Sequence, residues 1–258
     1  MKIAIVGKGG VGKTTIAACL ARLLSRDKYN VIAVDADPSL NLAIALGIPR
    51  EVAYKTPTLF DDEEFIRSRT LLPGGLYIMN PKVDDVIERF GIKGPDNVIL
   101  IKFGEVKRGG TRCLCPEYAF LRALLSHLIL GRKDVVILDM VAGLEHMSRG
   151  AARGIDLMLC VVEPTVKAID VALQIHKLSK DINIKRFEFI ANKIRKESDN
   201  EFIKKYIKTN IFEAIPYDEA VAEADALGIS LLDYAPNSPA VKAIERLKNK
   251  LLSVIRLR

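Results

Sequence analysis

The chain has 258 residues, of which 49% are hydrophobic and 28% are charged, and its formal net charge is +7. This balance is typical of a globular protein with ample core material, and the length suits one large α/β domain. The sequence has no run of about 18 apolar residues, and its start follows a strand pattern, so we expect neither a membrane span nor a signal peptide. We therefore expect a cytoplasmic protein. The positive charge allows a polyanionic partner but does not require one.

Four cysteines are present. In a cytoplasmic chain they argue against disulfides and leave metal binding or redox chemistry open. Cys19 falls in a helix pattern and Cys160 in an apolar strand pattern, so both are predicted to be core residues. Cys113 and Cys115 differ, because they lie one residue apart in a loop with glycines before them and a proline after them.

Residues 1–15 follow a strand–loop–helix pattern. Lys2–Val6 is short, apolar and β-branched, as in a buried strand. The glycine-rich loop at 7–12 can reach positive φ or approach a ligand closely. From Lys13 onward apolar residues recur at helical spacing, so backbone N–H groups and the positive helix end point at one spot. Such a spot binds phosphate.

Two phosphate-binding motifs overlap in this loop. A Gly-x-Gly-x-x-Gly pattern at 7–12 fits the dinucleotide fingerprint, and Asp35 lies about where its ribose-binding acid belongs. The P-loop pattern at 7–14 instead places Lys13 at the β- and γ-phosphates and Thr14 at Mg²⁺. The lysine–threonine pair decides for the P-loop, because a nicotinamide site needs neither group at the helix start. The predicted nucleotide-binding residues in this loop are Gly9, Gly10, Val11, Gly12, Lys13, Thr14 and Thr15.

Lys8 adds a second lysine inside the glycine loop. In a loop of the usual shape this side chain projects away from its own phosphates. The stretch at 8–15 therefore resembles the deviant Walker A class, the family of MinD, ParA and nitrogenase iron protein. That resemblance implies a face-to-face dimer in which Lys8 reaches the partner's nucleotide. A solvated loop lysine is the alternative.

Two further strand patterns, Val31–Asp35 and Val135–Asp139, each end in a carboxylate. Carboxylates at this end of a strand beside a P-loop manage Mg²⁺ and the attacking water. The resemblance makes Asp37 the residue that orients the water and places Asp35 near the water shell of the metal. Asp139 takes the Walker B position, where it would hold Mg²⁺ through a water.

The residues after Asp35 leave an alternative open. Asn41 is predicted to face the nucleotide partner from a helical turn. Asp37 or Ser39 could instead cap that turn.

Strands alternate with helices along most of the chain, and the strands are β-branched and do not alternate in polarity. This pattern predicts an α/β fold with a mostly parallel twisted sheet and helices on both faces, a Rossmann-like three-layer sandwich. We expect one P-loop ATPase domain at 1–258 with a decorating insertion at about 48–112. Other predicted strands are Leu76–Met79, Val98–Ile101, Ile155–Val162, Phe187–Ile190 and Ile211–Ile215; predicted helices are Glu117–Leu130, Val166–Leu178, Glu219–Leu227 and Ala240–Ile255.

Two later residues are predicted to close the nucleotide site. In related ATPases an asparagine after a strand bonds adenine and a proline loop packs on the ring, which matches Asn192 and Pro216. A common guanine site would have aspartate two residues after Lys193, where this chain has Arg195. ATP is therefore favoured over GTP.

The Cys-x-Cys loop, together with the segment that follows Asp139, resembles the CooC family. These are the nickel-insertion ATPases that mature carbon monoxide dehydrogenase, and the resemblance covers nearly the whole chain. It implies ATP or ADP with Mg²⁺, slow hydrolysis and a nucleotide-dependent homodimer. It also implies Zn²⁺ or Ni²⁺ held by Cys113 and Cys115 of both protomers, since two thiols alone cannot complete a tetrahedral site. The expected client is carbon monoxide dehydrogenase, with neither nucleic acid nor stable membrane association.

Some residues depart from that family's pattern. Val141 stands where a glutamate is usual, and Arg112 stands where a small residue is common before the first cysteine. Glu145 and His146 could act in switch II or simply solvate the next helix.

Two other functions stay open: a positioning ATPase that binds membrane or DNA through its basic last helix, and an iron–sulfur ATPase like nitrogenase iron protein.

Overall fold

A computed structural model of the chain describes residues 1–37, 41–72, 78, 82–83, 85–104, 120, 123–124, 131, 133–140 and 154–256. The described strands are β1 (Lys2–Gly7), β2 (Asn30–Asp35), β3 (Ile92–Lys93), β4 (Ile99–Lys102), β5 (Asp134–Asp139), β6 (Leu157–Val162), β7 (Phe187–Ile194) and β8 (Ile211–Pro216). They form one sheet in the order β3-β4-β2-β5-β1-β6-β7-β8. Neighbouring strands run parallel except for the β3–β4 pair, which is antiparallel.

Ten α-helices lie in the described residues. They are α1 (Lys13–Arg26), α2 (Leu42–Ala45), α3 (Arg50–Lys55), α4 (Glu63–Thr70), α5 (Val86–Phe90), α6 (Val166–Asp181), α7 (Glu197–Ile207), α8 (Glu219–Leu227), α9 (Leu231–Tyr234) and α10 (Pro239–Arg256). Two short 3₁₀ helices, Leu59–Asp61 and Pro95–Asn97, lie between them. No helix in this part of the chain is long and apolar enough to cross a membrane.

The sheet is covered on both faces. The β1–α1–β2 and β6–α6–β7 connections run in opposite directions along the sheet. Because such crossovers are right-handed, α1 and α6 lie on opposite faces. Helix α10 packs on β8 and α1, and α6 packs on β6 and β1. The predicted three-layer α/β sandwich is confirmed.

Burial follows the same layers. All residues of β1 and β6 are buried, as expected for strands in the middle of a parallel sheet. The apolar stripe of α10 is also buried, including Val241, Leu247 and Leu251. This apolar stripe is therefore not available to lie on lipid. Cys19 and Cys160 are both buried, as predicted.

Most predicted elements are found within one to three residues of their predicted ends, the usual uncertainty of element boundaries. One strand end was wrong: β7 continues through Asn192 to Ile194, because Ile194 still pairs with Pro216 of β8. The two-residue strand β3 was not predicted. The predicted strand Leu76–Met79 and the predicted helix Glu117–Leu130 lie largely outside the described residues.

Candidate nucleotide-binding site

The P-loop leaves the sheet at its centre, where β1 lies between β5 and β6. Gly10 and Gly12 have φ of 80° and 95°, in the left-handed region that favours glycine. Gly7 has φ of 142°, and a Cβ added to it would lie 2.3 Å from the backbone oxygen of Val161. This loop geometry therefore depends on glycine, as the sequence pattern indicates.

Strand β7 holds the P-loop from the side. Asn192 Nδ2 donates to Val11 O at 2.7 Å, and Lys193 Nζ donates to Gly10 O at 2.7 Å. Glu163 Oε2 lies 3.2 Å from the same Lys193 Nζ. We call these two contacts of Asn192 and Lys193 with the P-loop the clamp. The sequence did not predict the clamp, although the Asn-Lys pair at the end of a strand was a signal that could have indicated it.

Lys13 lies at the start of α1, with only 6% of its surface exposed. Its Nζ donates to Lys8 O at 3.3 Å. Burial lowers the pKa of Lys13, and the negative charges of Asp139 and Asp37 oppose that shift. Lys13 is therefore a buried cation at the position where the phosphates would bind. The Lys8 side chain is half-buried and is not part of the cleft lining.

Thr14 and Asp139 meet beneath the loop. Thr14 Oγ1 donates to Asp139 Oδ2 at 2.6 Å. Asp139 is 1% exposed, and its Oδ1 is buried with no hydrogen-bond partner among the described residues. Burial raises the pKa of this carboxyl to about 6, against the opposing effects of the Thr14 hydrogen bond and the Lys13 charge. A hydroxyl beside an unpaired carboxylate oxygen is the kind of donor set that Mg²⁺ binds, so these residues fit the metal.

Asp35 has a structural task that the sequence did not predict. It is fully buried, and its two oxygens accept hydrogen bonds from Asp37 N at 3.2 Å and Leu42 N at 3.1 Å. Burial, followed by the charge of Asp139, raises the pKa of Asp35 to about 7. Asp35 therefore holds the start of α2, a capping role that the sequence leaves open as an alternative for Asp37 or Ser39. Ser39 itself lies outside the described residues.

A cleft of about 780 Å³ opens above these residues. Its walls include the predicted residues Gly9, Gly10, Gly12, Lys13, Thr14, Thr15, Asp37, Asn41, Asn192 and Pro216. Val11 is buried beneath the loop and is not part of the lining. Asp139 is likewise not part of the lining and reaches the site through its hydrogen bond with Thr14. The structure thus gathers most of the predicted nucleotide residues around one cavity.

The far wall of the cleft is the loop after β8. Tyr217 and Asp218 line the cleft beside Pro216, and Tyr217 N donates to Ile194 O at 2.9 Å. Asp218 accepts from Ala220 N at 3.1 Å and from Ala240 N at 3.0 Å, so it anchors the starts of α8 and α10. Sequence reasoning named only Pro216 on this wall.

Residues 2–231 match the CbiA family, described as the CobQ/CobB/MinD/ParA nucleotide binding domain. The chain is 40% identical over 240 residues to the carbon monoxide dehydrogenase accessory protein CooC of Rhodospirillum rubrum, covering 92% of this chain and 91% of that protein. The chain belongs to this nucleotide-binding family, as a CooC-type ATPase. It is also 42% identical to an uncharacterized ATP-binding protein of Methanocaldococcus jannaschii, over 98% of both chains.

The fold of this CooC-type ATPase is also that of MinD. The Pyrococcus furiosus cell division ATPase MinD superposes with a TM-score of 0.73 at 21% identity, over 98% of both chains. At that identity the likeness concerns the fold alone.

The predicted metal-binding loop of this CooC-type ATPase, with Cys113 and Cys115, lies outside the described residues. The same holds for Arg112, Val141, Glu145 and His146. Within the described ranges, no group of three or more His, Cys, Asp or Glu side chains could hold a metal ion.

Proposed function

We propose that this CooC-type ATPase is an accessory factor that uses ATP to assist nickel insertion into carbon monoxide dehydrogenase. The observation that carries this proposal is 40% identity to a carbon monoxide dehydrogenase accessory protein over 92% of the chain. Identity spread over nearly the whole length supports a shared role better than a short motif would. The cleft at the P-loop supports the ATP-dependent part.

In this proposal the triphosphate of ATP lies along the P-loop. The backbone N–H groups of Gly9 to Gly12 and the first residues of α1 bind its oxygens, and Thr15 lies in the same wall. Buried Lys13 neutralises the β- and γ-phosphates, an interaction that is strong where water is excluded. Asn192 and Pro216 lie beside the base, and ADP occupies the same site after hydrolysis.

Thr14 and Asp139 are the residues that would hold Mg²⁺. The metal supplies charge neutralisation on the transferring phosphate, as in other phosphoryl-transfer sites. The unpaired Asp139 Oδ1 supports this assignment. Asp37 lines the cleft on the side of β2, where it would orient the attacking water.

We further propose that two copies meet face to face across their nucleotides. Lys8 is not among the residues that line its own cleft, which is compatible with a role across that interface. In this arrangement Lys8 contacts the partner's nucleotide and couples ATP binding to dimer formation.

The metal cargo is assigned to Cys113 and Cys115. Each protomer offers two thiolates, and a twofold axis would bring four together around one Zn²⁺ or Ni²⁺. Lys107, Arg108 and Arg112 precede the cysteines in the sequence and would offset the negative charge of four thiolates around a divalent ion. This shared site would link metal binding to the dimer.

Activation of nickel-deficient carbon monoxide dehydrogenase tests the proposed function. The enzyme is incubated with Ni²⁺ and MgATP, with or without this protein, and carbon monoxide oxidation is followed. We expect faster activation with the wild-type protein and ATP, and none beyond background with Lys13→Ala. Equal activation with and without the protein would contradict the assignment.

A further inference from the structure

The side chains of Arg195 and Tyr217 are stacked at the edge of the nucleotide cleft. The Arg195 guanidinium carbon lies 3.7 Å from the centre of the Tyr217 ring. The next shortest such distance among the described residues is 4.6 Å, between Arg89 and Phe65. A guanidinium this close to a ring face gains both cation–π attraction and planar stacking.

The sheet itself brings the two residues together. Ile194 and Pro216 are register partners in β7 and β8, and Arg195 and Tyr217 are the residues that directly follow them. Tyr217 N donates to Ile194 O at 2.9 Å, and Arg195 N donates to Asp199 Oδ2 at 2.9 Å. Hydrogen bonds from their backbone N–H groups therefore fix the positions of both residues, independently of the stacking of their side chains.

Only one member of the pair reaches the cleft. Tyr217 is 38% exposed and lines the cleft beside Pro216, whereas Arg195 is exposed and is not part of the lining. With a guanidinium on one face, the tyrosine ring can meet a bound base only through its other face or its edge. Arg195 can therefore act on the base only through the ring that it holds.

The Arg195 and Asp218 side chains at this wall are already engaged within the protein. A guanine site needs an acceptor for the ring N–H and the exocyclic amine of the base. Arg195 has donors only, and its guanidinium already lies on Tyr217. The two oxygens of neighbouring Asp218 already accept backbone N–H groups from α8 and α10.

We propose that Tyr217 is the base-contacting wall of the nucleotide cleft and that Arg195 is a positioning residue that holds the Tyr217 ring against adenine. The pair sets the preference for ATP over GTP. This inference rests on the proposed ATP site and adds the means by which that site chooses its base.

Equilibrium binding of ATP, GTP and inorganic tripolyphosphate, each with Mg²⁺, tests the pair. Tripolyphosphate carries the phosphates without a base, so it reports on the P-loop alone. We expect Tyr217→Ala to weaken ATP about tenfold, and Arg195→Ala to weaken it about two- to fivefold, with tripolyphosphate unchanged. Both substitutions should also lower the ATP-to-GTP affinity ratio, because the ring is then lost or no longer held against adenine.

Two comparisons make this test specific. In the Tyr217→Ala background, Arg195→Ala should have no further effect, since the arginine acts through the ring. Arg186→Ala is the matched control: Arg186 lies 5.9 Å from the Phe212 ring and does not line the cleft, so ATP binding should stay unchanged.

Several outcomes would overturn the inference. Equal weakening of ATP and tripolyphosphate by Arg195→Ala would show that its charge acts on the phosphates instead. Additive losses in the double variant, or ATP affinity unchanged by both single variants, would also refute it. A wild-type protein that binds neither ATP nor tripolyphosphate would instead refute the proposed ATP site.

Discussion

At the scale of single residues, two neighbouring acids have different tasks. Asp35 and Asp139 are register partners at the carboxyl ends of β2 and β5. Asp35 uses both oxygens to hold backbone N–H groups, whereas Asp139 keeps one buried oxygen unpaired. The sequence placed both near the metal. The hydrogen bonds assign Asp35 to the start of α2 and leave Asp139 able to bind a cation.

Substitutions at Lys13 and Asp37 should separate binding from turnover. Lys13→Ala removes the buried cation, so ATP affinity should fall by about a hundredfold or more. Asp37→Ala should bind ATP near the wild-type affinity and lose about a hundredfold in kcat, because only the orientation of the water is affected. Calorimetric binding and steady-state phosphate release measure the two effects. Wild-type hydrolysis by Asp37→Ala would show that the assignment of Asp37 is wrong.

The raised pKa of Asp35 predicts a pH-dependent stability of the nucleotide-free, metal-free protein. The pKa of Asp35 in the folded state is about 7, above its ordinary value of 3.8, so between these two values the folded state holds a proton that the unfolded state has released. This contribution to stability is present below about pH 4 and is lost as the pH rises through about 7. Asp35→Asn mimics the protonated acid, so its unfolding temperature should rise relative to that of the wild type as the pH increases from 5 to 8. A difference that does not change with pH would refute this.

At the scale of elements, the sequence predicted what depends on local pattern. The strand–loop–helix unit at 1–26 and the buried strands could be predicted because apolar periodicity and glycine spacing are local signals. The clamp of Asn192 and Lys193 on the P-loop could not, because it joins residues about 180 positions apart in the chain. The extension of β7 to Ile194 likewise depends on its partner strand.

Two glycines of the loop offer a matched pair for testing this clamp. A Cβ on Gly12 would lie 2.4 Å from Asn192 Nδ2, whereas a Cβ on Gly10 would meet nothing within 4 Å. Both have positive φ, so both alanine variants carry similar backbone strain. Gly12→Ala should therefore lower the free energy of unfolding by about 1 kcal/mol or more beyond Gly10→Ala.

Substitution of Asn192 tests whether the clash with its side-chain amide causes the difference between the two glycine variants. Asn192→Ala removes the clashing amide, so it should cost less in the Gly12→Ala background than in the wild type. Chemical denaturation without nucleotide measures all four variants. Equal costs for the two glycine substitutions would mean that the clamp does not press on Gly12.

At the scale of the whole molecule, the last helix, α10, forms part of the hydrophobic core. Helix α10 buries its apolar stripe on β8 and α1, which gives no support to a membrane-binding role for that stripe. The cleft, by contrast, opens at the carboxyl edge of the sheet, and its lining includes Gly9, the residue after Lys8. Interactions with a second copy are therefore expected at the P-loop face.

Lys8→Ala tests the face-to-face dimer. Lys8 does not line its own cleft, so the variant should bind ATP within about twofold of the wild type. It should fail to dimerise on ATP, because the contact with the partner's nucleotide is lost. Light scattering with and without ATP measures the mass. A variant that still forms an ATP-dependent dimer would return Lys8 to a solvated loop side chain.

The most direct test of an ATP-controlled metal carrier is metal content and mass, measured on one anaerobic sample with and without ATP. We predict one divalent metal per dimer, lost in Cys113→Ala and in Cys115→Ala but kept in Cys160→Ala, whose thiol is buried in β6. Metal should also favour the dimer, because binding to one state stabilises it. One metal per monomer in a monomeric protein, or full retention of metal after either substitution in the Cys-x-Cys loop, would contradict the account.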